Sequence, residues 1–67
     1  MKNNISPYPP NVLMRANNVF LDEKYMGFVE KVQNWGKDFL ARPESSQINK
    51  PNKFFETKTE AVKYIIS

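Results

Sequence analysis

Thr57, followed by Glu60 at the third position of the run it opens, restricts more than any other feature what this chain can become. A threonine at a helix N-cap accepts from the backbone N–H three residues on, and a glutamate there reaches back to the N–H of the cap, so each satisfies a donor the helix itself leaves orphaned. Ala61, Val62, Ile65 and Ile66 then fall on one side at helical spacing, and the pattern predicts a helix from Lys58 to Ile66. So short a helix does not persist alone in water. It needs a surface to lay its apolar side on.

Residues 12–43 allow two readings of that surface. In the helical one, Leu21, Tyr25, Phe28, Val32, Trp35 and Phe39 recur at alternating spacings of four and three, which predicts one helix over 22–41 capped by Asp22, stapled by Leu21 and Met26, and ended by Pro43. Gly27 and Gly36 oppose it, since a glycine inside a helix costs about 1 kcal/mol relative to alanine, and the aromatic and β-branched side chains oppose it too. The other reading is α+β: a small antiparallel three-stranded sheet packed by one C-terminal helix. Its strands are 18–21, 25–33 and 37–42, its turns Asp22–Lys24 and Asn34–Gly36, with Gly36 supplying a left-handed turn position. Its weakness is uneven alternation, because Phe28 and Val32 share a side with Glu30 while Val29 shares the other with Lys31 and Trp35. The local physics leaves the two near parity.

Around this centre, residues 1–11, with Pro7, Pro9 and Pro10 among asparagines, read as an extended arm that packs Tyr8 across the domain edge. Residues 12–67 then make a single small domain. Residues 44–53 read as a polar loop punctuated by Pro51, tacked down by its one apolar residue Ile48 and open to a partner. Phe54 and Phe55 lead extended into the helix, one turned inward and one covering an edge.

The segments Tyr25-Met26-Gly27-Phe28-Val29, Trp35 to Pro43 (WGKDFLARP), and Phe55 to Ala61 (FETKTEA) followed by Val62 resemble small phage and bacterial domains built of a three-stranded sheet and a C-terminal helix. Among them are the arm-binding domains at the N-terminus of phage-type tyrosine integrases. The resemblance spans residues 18–66. It implies the hairpin reading for 18–42, and for DNA-binding members it implies a sheet laid into the major groove.

Function is bounded first by what the chain lacks. With no cysteine there is no disulfide, thiolate site or thiol nucleophile, and with no histidine the commonest neutral-pH base and metal ligand is missing. Sixty-seven residues leave little chain to enclose a cleft, and the carboxylates show no pairing that argues for acid–base chemistry. The expectation is therefore a non-enzymatic binding protein without metal, cofactor or small-molecule substrate. No apolar run approaches the roughly 20 residues needed to span a bilayer, so a soluble, cytoplasmic protein is expected.

Two binding classes remain. A net charge of +3 allows a nucleic-acid interface in which Lys31, Lys37, Arg42, Lys50, Lys53 and Lys58 lie on or beside the sheet and neutralise phosphates while Trp35 stacks on a base. Glu30, Asp38 and Glu44 interrupt that basic set, and a lone tryptophan in so small a chain reads first as its largest core side chain. The alternative is a regulator or inhibitor docking on a larger partner enzyme through aromatics that one short helix cannot cover: Tyr25, Phe28, Trp35, Phe39, Phe54 and Phe55. A homodimer would bury the same rings.

Overall fold

A computed structural model describes residues 8–67. Five strands run in sequence order across one antiparallel meander: β1 (Val12–Arg15), β2 (Asn18–Leu21), β3 (Lys24–Lys31), β4 (Phe39–Pro43) and β5 (Lys53–Phe55). One helix, α1 (Lys58–Ile66), packs across the sheet, touching β2, β3, β4 and β5. The architecture is α+β, with a sheet wider than the three strands expected. The long helix over 22–41 is likewise overturned, since that stretch is β3, a turn and part of β4.

The two additional strands lie at the edges, where local signals are weakest. β1 pairs only with β2, through Val12↔Leu21, Leu13↔Phe20, Met14↔Val19 and Arg15↔Asn18. β5 pairs only with β4, through Phe39↔Phe55, Leu40↔Phe54 and Ala41↔Lys53. Both are short, and an edge strand exists because a neighbour offers it a ladder, a condition that its own residues do not encode.

The central strand carries one irregularity. Val19 pairs with Gly27 but the next residue, Phe20, pairs with Tyr25, so Met26 is an extra residue, a β-bulge. The bulge puts Tyr25 and Phe28 on the same face although they are three residues apart, and that interval is one a helix also produces. Beyond it, Phe28↔Arg42, Val29↔Ala41 and Lys31↔Phe39 continue β3 against β4 in plain register.

The turns carry left-handed residues where the hairpins need them. Asp22 and Glu23, with φ of 52° and 68°, are the two central residues between β2 and β3, the sign pattern of a type I′ turn that favours asparagine and glycine. At the β3–β4 tip, Trp35 (φ 53°) and Gly36 (φ 94°) repeat that pattern, with Lys37 N–H donating to the Asn34 carbonyl at 3.1 Å. The expected left-handed Gly36 is present. Trp35 precedes it in the same conformation, which a bulky residue seldom adopts.

The core lies between α1 and the middle of the sheet. Val19, Val29, Ala41, Ala61, Val62 and Ile65 are fully buried, and Val12, Met14, Met26, Phe39, Phe55, Tyr8, Tyr64 and Ile66 pack around them. Trp35, read from the sequence as the largest core side chain, is instead 100% exposed. A seven-residue connection carries it past the last β3–β4 pair, Lys31↔Phe39, and beyond the reach of α1.

The helix starts where the sequence places it. Thr57 is the N-cap with extended backbone (φ −130°, ψ 154°); its Oγ1 accepts from Glu60 N–H at 3.2 Å, and Glu60 Oε1 accepts from Thr57 N–H at 3.2 Å. Thr57→Ala is expected to destabilise the fold by about 1 kcal/mol in urea denaturation. A change below about 0.3 kcal/mol would mean that packing alone positions the helix end.

The loop from Glu44 to Asn52 is held by hydrogen bonds and not by Ile48, which is 86% exposed. Gln47 Nε2 and Glu44 N–H both donate to the bulge carbonyl of Met26, at 2.6 and 2.8 Å. Tyr64 OH donates to the Pro51 carbonyl at 2.6 Å. Within the loop, Glu44 accepts from the side chain and backbone of Ser46, which hold its carboxyl below the ordinary glutamate value. Of the expected arm, residues 1–7 lie outside the described part of the chain; beyond them Val12 N–H donates to the Pro9 carbonyl at 3.1 Å, a turn that leads into β1.

Candidate functional site

A strand presents alternate side chains to opposite faces, so the register sorts every sheet residue to the helix side or the other. Val12, Met14, Val19, Val29, Phe39, Ala41 and Phe55 face α1. Their neighbours Leu13, Phe20, Tyr25, Phe28, Leu40 and Phe54 are absent from the core cluster and make an apolar band across all five strands on the opposite face. Phe20 and Tyr25 meet edge to face with centroids 5.6 Å apart. Leu13, Tyr25 and Phe54 are exposed, and Phe20, Phe28 and Leu40 are half-buried. No described element covers this face, because α1 and the loop bonded to its C-terminal end both lie on the other.

The charges on the open face are few, one ion pair and one further arginine. Arg42 and Glu30 lie diagonally across β3 and β4 and join at 3.0 Å, each side chain a little under half exposed. The Arg42 guanidinium also sits over the Phe28 ring, 5.3 Å from its centroid. Arg15, at the end of β1, alternates with Met14 and adds one further cation. An ion pair this exposed contributes little to stability, and its stacking on Phe28 also keeps the ring partly covered.

The other basic candidates are placed elsewhere. Lys31 and Lys53 are on the helix side of the sheet, with Nζ 5.0 Å from the Phe39 centroid and 5.6 Å from that of Phe55. Lys50 donates to the carbonyls of Ile65 and Ser67 and so caps the C-terminal end of α1, where a cation also favours the helix dipole. Lys58 is half-buried in the first helical turn, and Lys37 is at the hairpin tip. Of the seven residues read as a nucleic-acid set, Arg42 alone lies on the open face, and no lysine among the described residues does. The sheet therefore has no basic face.

The aromatic set divides differently. Tyr25, Phe28 and Phe54 converge on the open face, whereas Phe39 and Phe55 belong to the packing around the core. Leu13, Phe20 and Leu40 join them there and were not singled out from the sequence. The signal that would have found them is strand alternation, which becomes readable only once β1 and the bulge are known.

Trp35 stands at the end of the β3–β4 hairpin on a braced turn. Asn34 N–H donates to Asp38 Oδ1 at 2.9 Å, and Val32 N–H donates to the Asp38 carbonyl at 2.8 Å. A tryptophan that is fully exposed and left-handed satisfies no packing need among the described residues, and strain of this kind collects at functional positions. A concavity of about 420 Å³ lies at the other end of the meander, lined by Pro10, Asn11, Val12, Leu13, Asp22 and Glu23. Its carboxylates are turn residues, Asp22 accepting from Asn11 Nδ2 at 3.3 Å. Among the described residues no cluster of three or more acidic side chains is placed to hold a metal ion, and no helix is long and apolar enough to cross a membrane.

No protein-family model, curated protein or solved structure matches this chain.

Proposed function

We propose that this chain acts by binding protein: a small regulator that docks on a larger partner through the helix-free face of its sheet. The carrying observation is the composition of that face, which gathers Phe20, Tyr25, Phe28 and Phe54 with two arginines while every described lysine lies off it. Enrichment in aromatics and arginine with depletion of lysine is the signature of a protein interface core. Tyr25 and Phe54 are the natural anchors, being rings already held on strands and so losing little freedom on binding. Trp35 extends the surface at one end.

Recovery of a stoichiometric partner from native extract, lost when Tyr25→Ser and Phe54→Ser are combined, is the expected result. Circular dichroism should show the variant folded, since neither side chain is in the core cluster. The opposing outcome is submicromolar binding to double- or single-stranded DNA at about 50 mM salt that falls steeply as salt rises. That would return the function to nucleic acid.

A further inference from the structure

We infer that, in the absence of a larger partner, two copies of this chain pair their open sheet faces about a two-fold axis. The inference rests on reading that face as a protein-interaction surface, and it names the occupant.

The first ground is where the large side chains are. Among the described residues the fully buried core consists of valines, alanines and one isoleucine, with Tyr8, Phe39, Phe55 and Tyr64 packed around it, while Phe20, Tyr25, Phe28, Leu40 and Phe54 lie on the side without a helix. A domain of this length is marginal on burial alone, and small folds commonly complete themselves by association. A second copy converts the open face into the middle of a sheet-on-sheet sandwich, in which half-exposed rings from the two sheets interdigitate.

The second ground is charge, which a copy can match. A two-fold interface must be self-complementary, each patch meeting its own image. The centre of this face carries one cation and one anion side by side, Arg42 and Glu30. Turned on itself, the patch sets each copy's Arg42 toward the other's Glu30 without needing any charge from outside. The surplus behind the net +3 is carried largely by lysines, and those of the described residues point away from the approach. An unrelated partner would have to supply a matching pair of its own.

The third ground is area, which sets the strength. Five strands about 4.8 Å apart, with pairing over three to five residues, give a footprint of at most roughly 20 Å on a side. Its accessible area is below the roughly 800 Å² per partner of a standard interface, so the dimer is expected to dissociate in the micromolar range and to yield to a tighter partner.

The test uses the full chain in sedimentation equilibrium from about 1 µM to 1 mM. Wild type should pass from monomer to dimer over that range. Arg42→Glu leaves two acids at the centre of the face and Glu30→Arg leaves two bases, so each variant alone should associate at least about tenfold more weakly. Mixed in equal amounts, the two should recover heterodimers of near wild-type affinity. Ile48→Ser, in the loop on the helix side, should leave association unchanged, and thermal melts at 1 µM should show every variant folded.

Monomer at all concentrations would overturn the inference. So would a dimer that both charge variants form as well as wild type does, or a mixture no stronger than its components. Any of these results together with a partner capture that still depends on Tyr25 and Phe54 would leave the proposed function standing and assign the face to a larger protein alone.

Discussion

Gly27→Ala is expected to remove a large share of the chain's stability, about 2–6 kcal/mol, as the sum of two independent penalties. Gly27 has φ +143°, a conformation in which an L side chain is strained by about 1–3 kcal/mol. A Cβ built there would also stand 2.5 Å from the Arg42 carbonyl oxygen, 2.8 Å from Pro43 Cα and 3.0 Å from Glu44 N. These are backbone atoms of the neighbouring strand and its exit, which move only if the β3–β4 ladder opens, adding about 1–3 kcal/mol more. A chain of this size has roughly 3–10 kcal/mol of stability in total. Gly36 is the contrast: its φ is +94° but nothing lies within 4 Å of its would-be Cβ. Gly36→Asn should therefore cost well under about 1 kcal/mol, because asparagine tolerates the left-handed region. A Gly27→Ala protein melting within a few degrees of wild type would show that β4 relaxes freely around the bulge.

Ile65→Ala is expected to cost about 3 kcal/mol, within the 2–5 kcal/mol typical of emptying a core site. Ile65 is fully buried and ranks among the largest side chains in the core. α1 is a short helix held by the face that Ile65, Val62 and Ala61 present to β2, β3 and β4, and among the described residues no second helix can shift to fill the space. The loss should appear as a lower urea midpoint with an unchanged slope, since the change removes packing without altering what unfolding exposes. A loss under about 1 kcal/mol would mean that α1 is anchored mainly at its ends, by the Thr57–Glu60 box and by Lys50.

Both predictions bear on the open face without touching its side chains. The bulge at Met26 that Gly27 accommodates is what turns Tyr25 onto the same side as Phe28. Loss of the bulge register would move Tyr25 to the other side of the sheet, because a one-residue slip inverts every side chain. The helix in turn covers the opposite side, and by doing so leaves the face with Phe20, Phe28 and Phe54 as the one that is open. In this chain the fold and the make-up of its uncovered face depend on the same two elements.

Much of the centre of the fold was legible. Asn18–Leu21 is the strand expected, the two expected turns are where their left-handed residues lie, and Lys58–Ile66 is the helix that the capping box announced. Each of these rests on contacts between residues close in sequence, so its cause is written locally. The candidate site was half legible. Tyr25, Phe28 and Phe54 were marked by their type, but the rings that join the open face could not be separated from Phe39 and Phe55, which join the core, without knowing the register.

Tertiary structure decided the rest, and the reason is common to each case. β1 and β5 are strands only because β2 and β4 present free ladders to them. Gly27, beside the bulge, passes close to the backbone of β4, and Trp35 is exposed because the hairpin tip outreaches α1. Sequence alone determined where the chain turns and where its helix begins, through bonds spanning three or four residues. Which side of the sheet each aromatic faces was decided by the register of each strand against the next, and with it which rings the uncovered face carries.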